Sequence, residues 1–181
     1  MKVLITYKRV KRLSMRVTQK GEVHVSAPIG VERQEVEHFV RSNEEWIRRA
    51  LANLSQRLEA RQHFYDQLPL TTKEQRQEAA TRLMSVCSPL IEHYQRLMGV
   101  QISGVTVRPV ISKWGSCNVR THRITLSIYL LLLPTWCMEY VVVHELGHLL
   151  VPNHSPAFHR LMDTYFPRWR EAKAEIRRVS G

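Results

Sequence analysis

The sequence predicts an α+β fold, from three observations. Apolar residues alternate with period two near the N-terminus and again after residue 104. They recur at threes and fours between about 32 and 99, and a long apolar helix pattern follows the second strand block. The blocks are segregated: a strand region over about 1–30, a helical region over about 32–99, and a mixed region over about 104–179.

With 181 residues, 44% apolar and 24% charged, the chain can bury one good core, and a single domain over 1–181 is expected. Disorder is excluded on the same grounds. The longest apolar run, Ile128 to Leu133, is too short to cross a membrane. The opening stretch, MKVLITYKRVKRLSMRV, is interrupted by charges where a secretion signal needs an apolar run, so a cytoplasmic location and no membrane partner are expected. Cys87, Cys117 and Cys137 are odd in number and lack C-x-x-C spacing, which argues against a disulfide framework.

The net charge is +11, with seven Lys or Arg against one Glu in the first thirty positions and Arg168, Arg170, Lys173, Arg177 and Arg178 near the end. Solubility is the simplest account. An anionic small substrate comes next and nucleic acid last, because no recognised nucleic-acid module accompanies the charge.

Leu13–Val17 and Val23–Ala27 alternate around Gln19–Glu22 and read as a hairpin, to which Val3–Tyr7 adds a strand; Pro28 and Gly30 end it. Val36, Phe39 and Val40 give a short helix face. Ser42 or Asn43 then caps a second helix carrying Trp46, Ile47, Ala50, Leu51, Leu54 and Leu58. Thr72-x-x-Gln75 resembles a capping box opening a helix with Ala79, Leu83, Cys87, Ile91, Tyr94 and Met98, which Pro89 either kinks or divides. Strands return at Val105–Ile111 and Ile124–Leu130, separated by the segment Lys113-Trp114-Gly115-Ser116-Cys117. Pro134 then separates this sheet from a helix running from Thr135 to about Leu149. Ser155 caps another helix, and Trp169, Ala172 and Ile176 mark a last one after Pro167.

The chemistry lies in VVVHELGHLLVPNH, Val141 to His154. On a helix, His144 and His148 of this H-E-x-x-H lie one turn apart on one face, where two imidazoles can hold one zinc ion with Glu145 in reach of a water on it. Pro152 stops the helix, and the following turn can return His154 as a third metal ligand. Three protein ligands plus water is the catalytic form of a zinc site, so a zinc hydrolase with Glu145 as general base is expected. Glu171 or Glu175 is the alternative third ligand, and His159 a weaker one. A structural zinc closed by Cys117 or Cys137, and an inert motif, are the competing readings. Lys113, Trp114 and Ser116 are candidate substrate or oxyanion contacts, with Gly115 permitting close backbone approach. Arg120, Arg123 and His159 are further candidates for substrate contact. The strand around Ile124–Tyr129 is expected to lie beside the cleft as an edge that aligns an extended peptide.

The combination of Trp114-Gly-Ser-Cys117, Ile124-Thr-Leu-Ser127, and Tyr140-Val-Val-Val-His-Glu-Leu-Gly-His148 with His154 and Phe158 resembles the YgjP-like family of zinc-dependent metallopeptidases. The resemblance implies a minimal zincin-like fold, with His144, His148 and His154 as zinc ligands and Glu145 as catalytic base. It leaves two substrates open, a peptide and a nucleotide, since a nucleoside triphosphate pyrophosphatase activity on UTP is also attached to the family. A non-enzymatic, nucleic-acid-associated zinc protein is the third alternative.

Overall fold

In the computed structural model, which describes residues 2–180, the N-terminal strand block is a sheet built on its last strand. Strands β1 (Val3–Lys8), β2 (Ser14–Val17) and β3 (Val23–Pro28) lie in the order β1-β3-β2. The β2–β3 hairpin is antiparallel, as its alternation predicts. Its turn uses Gly21 at φ +74° and the Thr18 hydroxyl, which accepts from the Lys20 and Glu22 amides. β1, however, pairs parallel with β3, which corrects the expectation of N-terminal antiparallel strands. Alternation fixes which face of a strand is apolar, not its neighbour or direction.

On β3, Val23, Val25 and Ala27 all turn inward, and they meet Val36 of α1 (Arg33–Ser42) and Ile47 of α2 (Glu44–Asp66) in one apolar cluster. Lys8, Arg9, Lys11, Arg12 and Arg16 are exposed, so the basic N-terminal residues coat strand ends, a loop and the outer sheet face. The chain forms two compact units, Met1–Arg61 and Gln62–Gly181, with α2 crossing the division.

The second unit carries the motif. Helix α3 (Lys73–Met98) opens on the capping box expected from Thr72 and Gln75 and closes at Gly99, whose left-handed φ of +67° ends it. Pro89 lies inside this helix and does not divide it. Leu83 and Cys87 before it, and Ile91, Tyr94 and Met98 after it, share one buried face. That packing outweighs the roughly 3 kcal/mol a mid-helix proline costs. Leu83→Ala, at a site with no exposure, is expected to lower unfolding stability by about 3 kcal/mol. Urea denaturation would show the shift as a lower midpoint with an unchanged slope.

Strands β4 (Gly104–Arg108), β5 (Gly115–Asn118) and β6 (Arg123–Ser127) form a second sheet ordered β4-β6-β5, with β6 parallel to β4 and antiparallel to β5. This corrects the placement of the edge: the Ile124 strand is central, and β4 and β5 are the edges. The strand is also shorter than the apolar run suggests. Ser127 donates its hydroxyl to the Val110 carbonyl and its oxygen accepts from the Tyr129 amide, turning Ile128–Leu132 into a 3₁₀ helix.

Helix α4 (Thr135–Gly147) follows Pro134 and is buried nearly all round, from Cys137 to Gly147. It packs against α3, β5, α5 (Pro156–Tyr165) and α6 (Trp169–Ser180). Its apolar surface therefore holds the motif on an element packed on nearly every side.

Candidate metal centre

His144 and His148 stand one turn apart at the C-terminal end of α4. The helix then tightens, with Leu149 and Leu150 bonding to carbonyls three residues back, and Pro152 prevents its continuation. The turn that results returns His154 to the helix end. His144 Nε2 lies 3.2 Å from His148 Nε2 and 2.9 Å from His154 Nε2, and one ligand atom from each ring falls within 4.8 Å of the others.

The donor set fits zinc. His148 Nδ1 lies 3.2 Å from the Val151 carbonyl, an acceptor only, so the proton sits on Nδ1 and Nε2 keeps its lone pair. The Tyr140 hydroxyl lies 3.4 Å from His144 Nδ1 and plays the corresponding part for that ring. Lone pairs converging on one point repel unless a cation lies between them. A tetrahedral zinc with bonds of about 2.0–2.1 Å would separate its nitrogens by roughly 3.3 Å, close to the spacing here. Burial first, then the neighbouring His148 and His154, pushes the His144 pKa down to about 3, so this imidazole stays neutral, as a metal ligand must be. His148 is lowered as well, chiefly by burial.

Glu145 points away from the triad face, toward β5. It is 5% exposed, and burial pushes its pKa up to about 7, against the Lys113 charge and a hydrogen bond from the Cys117 amide. A carboxyl in that range can take and return a proton near neutrality. Gly115 explains the fit: a Cβ there would stand 2.6 Å from Glu145 Oε1 and 2.7 Å from its Cγ. Gly115→Ala is expected to keep the fold and lower any hydrolytic rate roughly 100-fold by displacing the carboxylate. Circular dichroism beside a rate measurement would separate the two effects.

Two clefts flank His144. One, of about 250 Å³, is lined by Lys113, Trp114, Gly115, Tyr140, His144 and Glu145. The other, of about 410 Å³, is lined by His144, His154, Phe158, His159, Trp169 and Lys173 among others. Lys113, Trp114 and His159 therefore stand beside the motif. Ser116 lies within β5 opposite Thr125. Arg120 lines a separate cleft with Gln101, Ser103 and His122, and Arg123 reaches over β4 to the Thr106 hydroxyl at 3.4 Å. Glu171 and Glu175 are paired with Arg168 and Arg178, outside the triad. Cys117 and Cys137 also lie outside it, their thiols pushed up to about 11, mainly by burial.

Two residues gain roles that the sequence reading did not give them. Phe158, 1% exposed, stacks on His148 at 4.6 Å and meets His144 and His154 edge-on at 4.9 and 5.1 Å, forming the floor under all three rings. Gly147 admits it: a Cβ there would lie 3.0 Å from Leu161 Cδ2 and 3.2 Å from Phe158 Cε2. A glycine inside a helical pattern was the available signal.

The family profile described as YgjP-like, metallopeptidase domain matches residues 11–81 and 65–179. Among solved structures, the chain is similar to the metallopeptidase zymogen abylysin of Pyrococcus abyssi, with 31% identity and a TM-score of 0.45. That match covers 49% of this chain and 90% of that one. It is also similar to the metallopeptidase zymogen jannalysin of Methanocaldococcus jannaschii, with 20% identity, a TM-score of 0.45, and coverage of 50% and 93%. No curated protein matches.

Proposed function

The chain belongs to the YgjP-like family, whose domain is described as a metallopeptidase domain, and from that premise we propose that it is a zinc-dependent peptide hydrolase. Zinc would be held by His144, His148 and His154, with Glu145 as general base. The observation that carries this reading is the convergence of three imidazole Nε2 atoms beside a buried carboxylate. Bound zinc supplies Lewis acidity, which makes water acidic enough to ionise near neutrality and polarises a carbonyl.

The chain's own groups do the rest. Glu145 accepts the proton of the attacking water on its carboxylate and delivers it to the amide nitrogen as the C–N bond breaks, leaving a carboxylate and an amine. The Cys117 amide and Gly115 hold that carboxylate in one place. Lys113, beside it, holds down its pKa and offers a donor to a developing oxyanion. Tyr140 and the Val151 carbonyl orient His144 and His148.

A peptide is favoured over a nucleotide by the sheet. β5 is an edge strand, and the Trp114 carbonyl accepts from the Ser127 amide. Alternation then turns the Ser116 groups toward β6 and the Gly115 and Cys117 groups outward, toward the Glu145 side. The Cys117 N–H on that margin is taken by Glu145, so an extended substrate would pair with the outward groups that remain, those of Gly115 and the Cys117 carbonyl. Arg120 and Arg123, the cations a phosphate pocket would have recruited, lie elsewhere.

The test is to assay the zinc-loaded protein against a peptide library and a nucleotide panel including UTP, with and without a chelator. Chelator-sensitive peptide cleavage is the expected result. UTP turnover without peptide cleavage would replace the peptide reading with the pyrophosphatase one, and no turnover by fully zinc-loaded protein would end the catalytic reading.

A further inference from the structure

The larger cleft carries a chemistry that the hydrolytic step does not use. Its far wall is Trp169, 8% exposed, which His159 stacks against nearly parallel at 5.2 Å and 10°. The indole is fixed: Nε1–H donates to Asp163 Oδ1 at 2.8 Å, and the Arg170 guanidinium lies over the ring at 4.2 Å. One turn further along α6, Lys173 lines the same cleft.

The acids around this wall are already engaged. Asp163 takes Arg170 at 2.6 Å as well as the indole, Glu171 takes Arg168 at 2.9 Å, and Glu175 takes Arg178 at 2.6 Å. Among the described residues, Lys173 makes no ion pair within 4 Å, and no Asp or Glu lines the cleft. The result is an aromatic wall and an ammonium without an ion-pair partner next to the metal-site histidines, in a cleft that shares Tyr140 and His144 with the one holding Glu145. An apolar body with a single anionic head matches that lining. A polyphosphate fits it less well, because the lining offers one ammonium and no cradle of amides, and Arg177, whose charge reaches Tyr140, does not itself line the cleft.

We propose that the cleft formed by His159, Trp169 and Lys173 is a subsite for a substrate carboxylate, and that Lys173 sets the preference for an acidic group over its neutral counterpart. The inference rests on the hydrolase reading of the adjacent centre and names the class of peptide it takes: one carrying a carboxylate close to the scissile bond. The carboxylate is either the free C-terminus or an Asp or Glu side chain.

The test is an equilibrium titration of the zinc-loaded protein and its Lys173→Met variant with 3-phenylpropionate, 3-phenylpropionamide and phenyl phosphate, followed by tryptophan fluorescence. Lys173 is exposed, so the variant should fold. Wild type is expected to bind the acid roughly tenfold more tightly than the amide, and the variant to bind both equally. A preference that persists in the variant would place the carboxylate on zinc or another group and overturn the assignment. So would the absence of any preference in the wild type. Phenyl phosphate binding tighter than the acid in a Lys173-dependent way would overturn the carboxylate in favour of a phosphate.

Peptides ending in a free carboxylate or an amide, each with and without an acidic residue, then distinguish the two carboxylate sources by kcat/KM. If no peptide is cleaved at all, the hydrolase reading falls, while the equilibrium preference still decides the subsite.

Discussion

Glu145→Gln is expected to lower peptide turnover by about 10²- to 10⁴-fold, the usual contribution of a positioned general base, while zinc content stays at the wild-type level. The substitution is close to isosteric. The amide oxygen can still accept from the Cys117 N–H that holds the carboxylate, and the side chain still fits against Gly115. What disappears is the ability to take a proton. Stability should not fall, because burial at 5% exposure already disfavours the charged form of Glu145. The sign follows from linkage. A carboxyl raised from 4.5 to about 7 binds its proton more tightly in the folded state, so in metal-free protein its contribution declines as pH rises from about 4.5 to 7. Glutamine removes that decline. Single-turnover rates, zinc content and thermal melts at pH 5 and pH 8 together test the argument. A variant that keeps its rate would remove Glu145 from the chemistry.

The parts legible in the sequence are those set by local rules. The Thr72 capping box, the β2–β3 hairpin and the α4 helix between Pro134 and Pro152 follow from residues within a few positions of one another. The histidine triad belongs here too, since His144, His148 and His154 span one helical turn and one loop. Contacts between distant segments were not legible. Gly115 announced a close approach but could not name Glu145, thirty residues on, as its partner. The Ile124 run alternates through Leu130 and so reads as one strand, but period alone does not mark its end; Ser127, bonded to the Val110 carbonyl and the Tyr129 amide, decides where the strand stops. Its central position comes from β4 pairing parallel, a non-local choice that no hairpin signal encodes. Arg120 and Arg123 carry charge suited to an anionic substrate, but charge does not tell which cleft a side chain lines: Arg120 lines one with Gln101 and His122, and Arg123 reaches the Thr106 hydroxyl on β4.

His148→Ala tests the metal itself, and its expected effect is the largest on binding. Removing an outer partner of a metal-bound histidine costs about 10- to 100-fold in affinity, so removal of one of three Nε2 donors should exceed roughly 100-fold. The ring is held by two fixed neighbours, the Val151 carbonyl at Nδ1 and the Phe158 face at 4.6 Å. No other side chain of the triad can swing into its place without losing the 2.9 Å approach of His154 to His144. Stability reports the same loss. Zinc at a thousandfold excess over its Kd stabilises the native state by about 4 kcal/mol, worth roughly 10 °C in Tm for a chain of this size. The wild type should show that rise and His148→Ala almost none of it. His159→Ala is the control, since His159 lines the neighbouring cleft without belonging to the triad, and it should keep the full zinc-induced rise. Competition titration with a chromophoric chelator gives the affinities directly. Affinity in His148→Ala within a few-fold of wild type would mean that the convergence of imidazoles is not where the metal binds. A large loss confined to His144, His148 and His154 would leave zinc with three protein ligands, and hence with the open fourth position that catalysis needs.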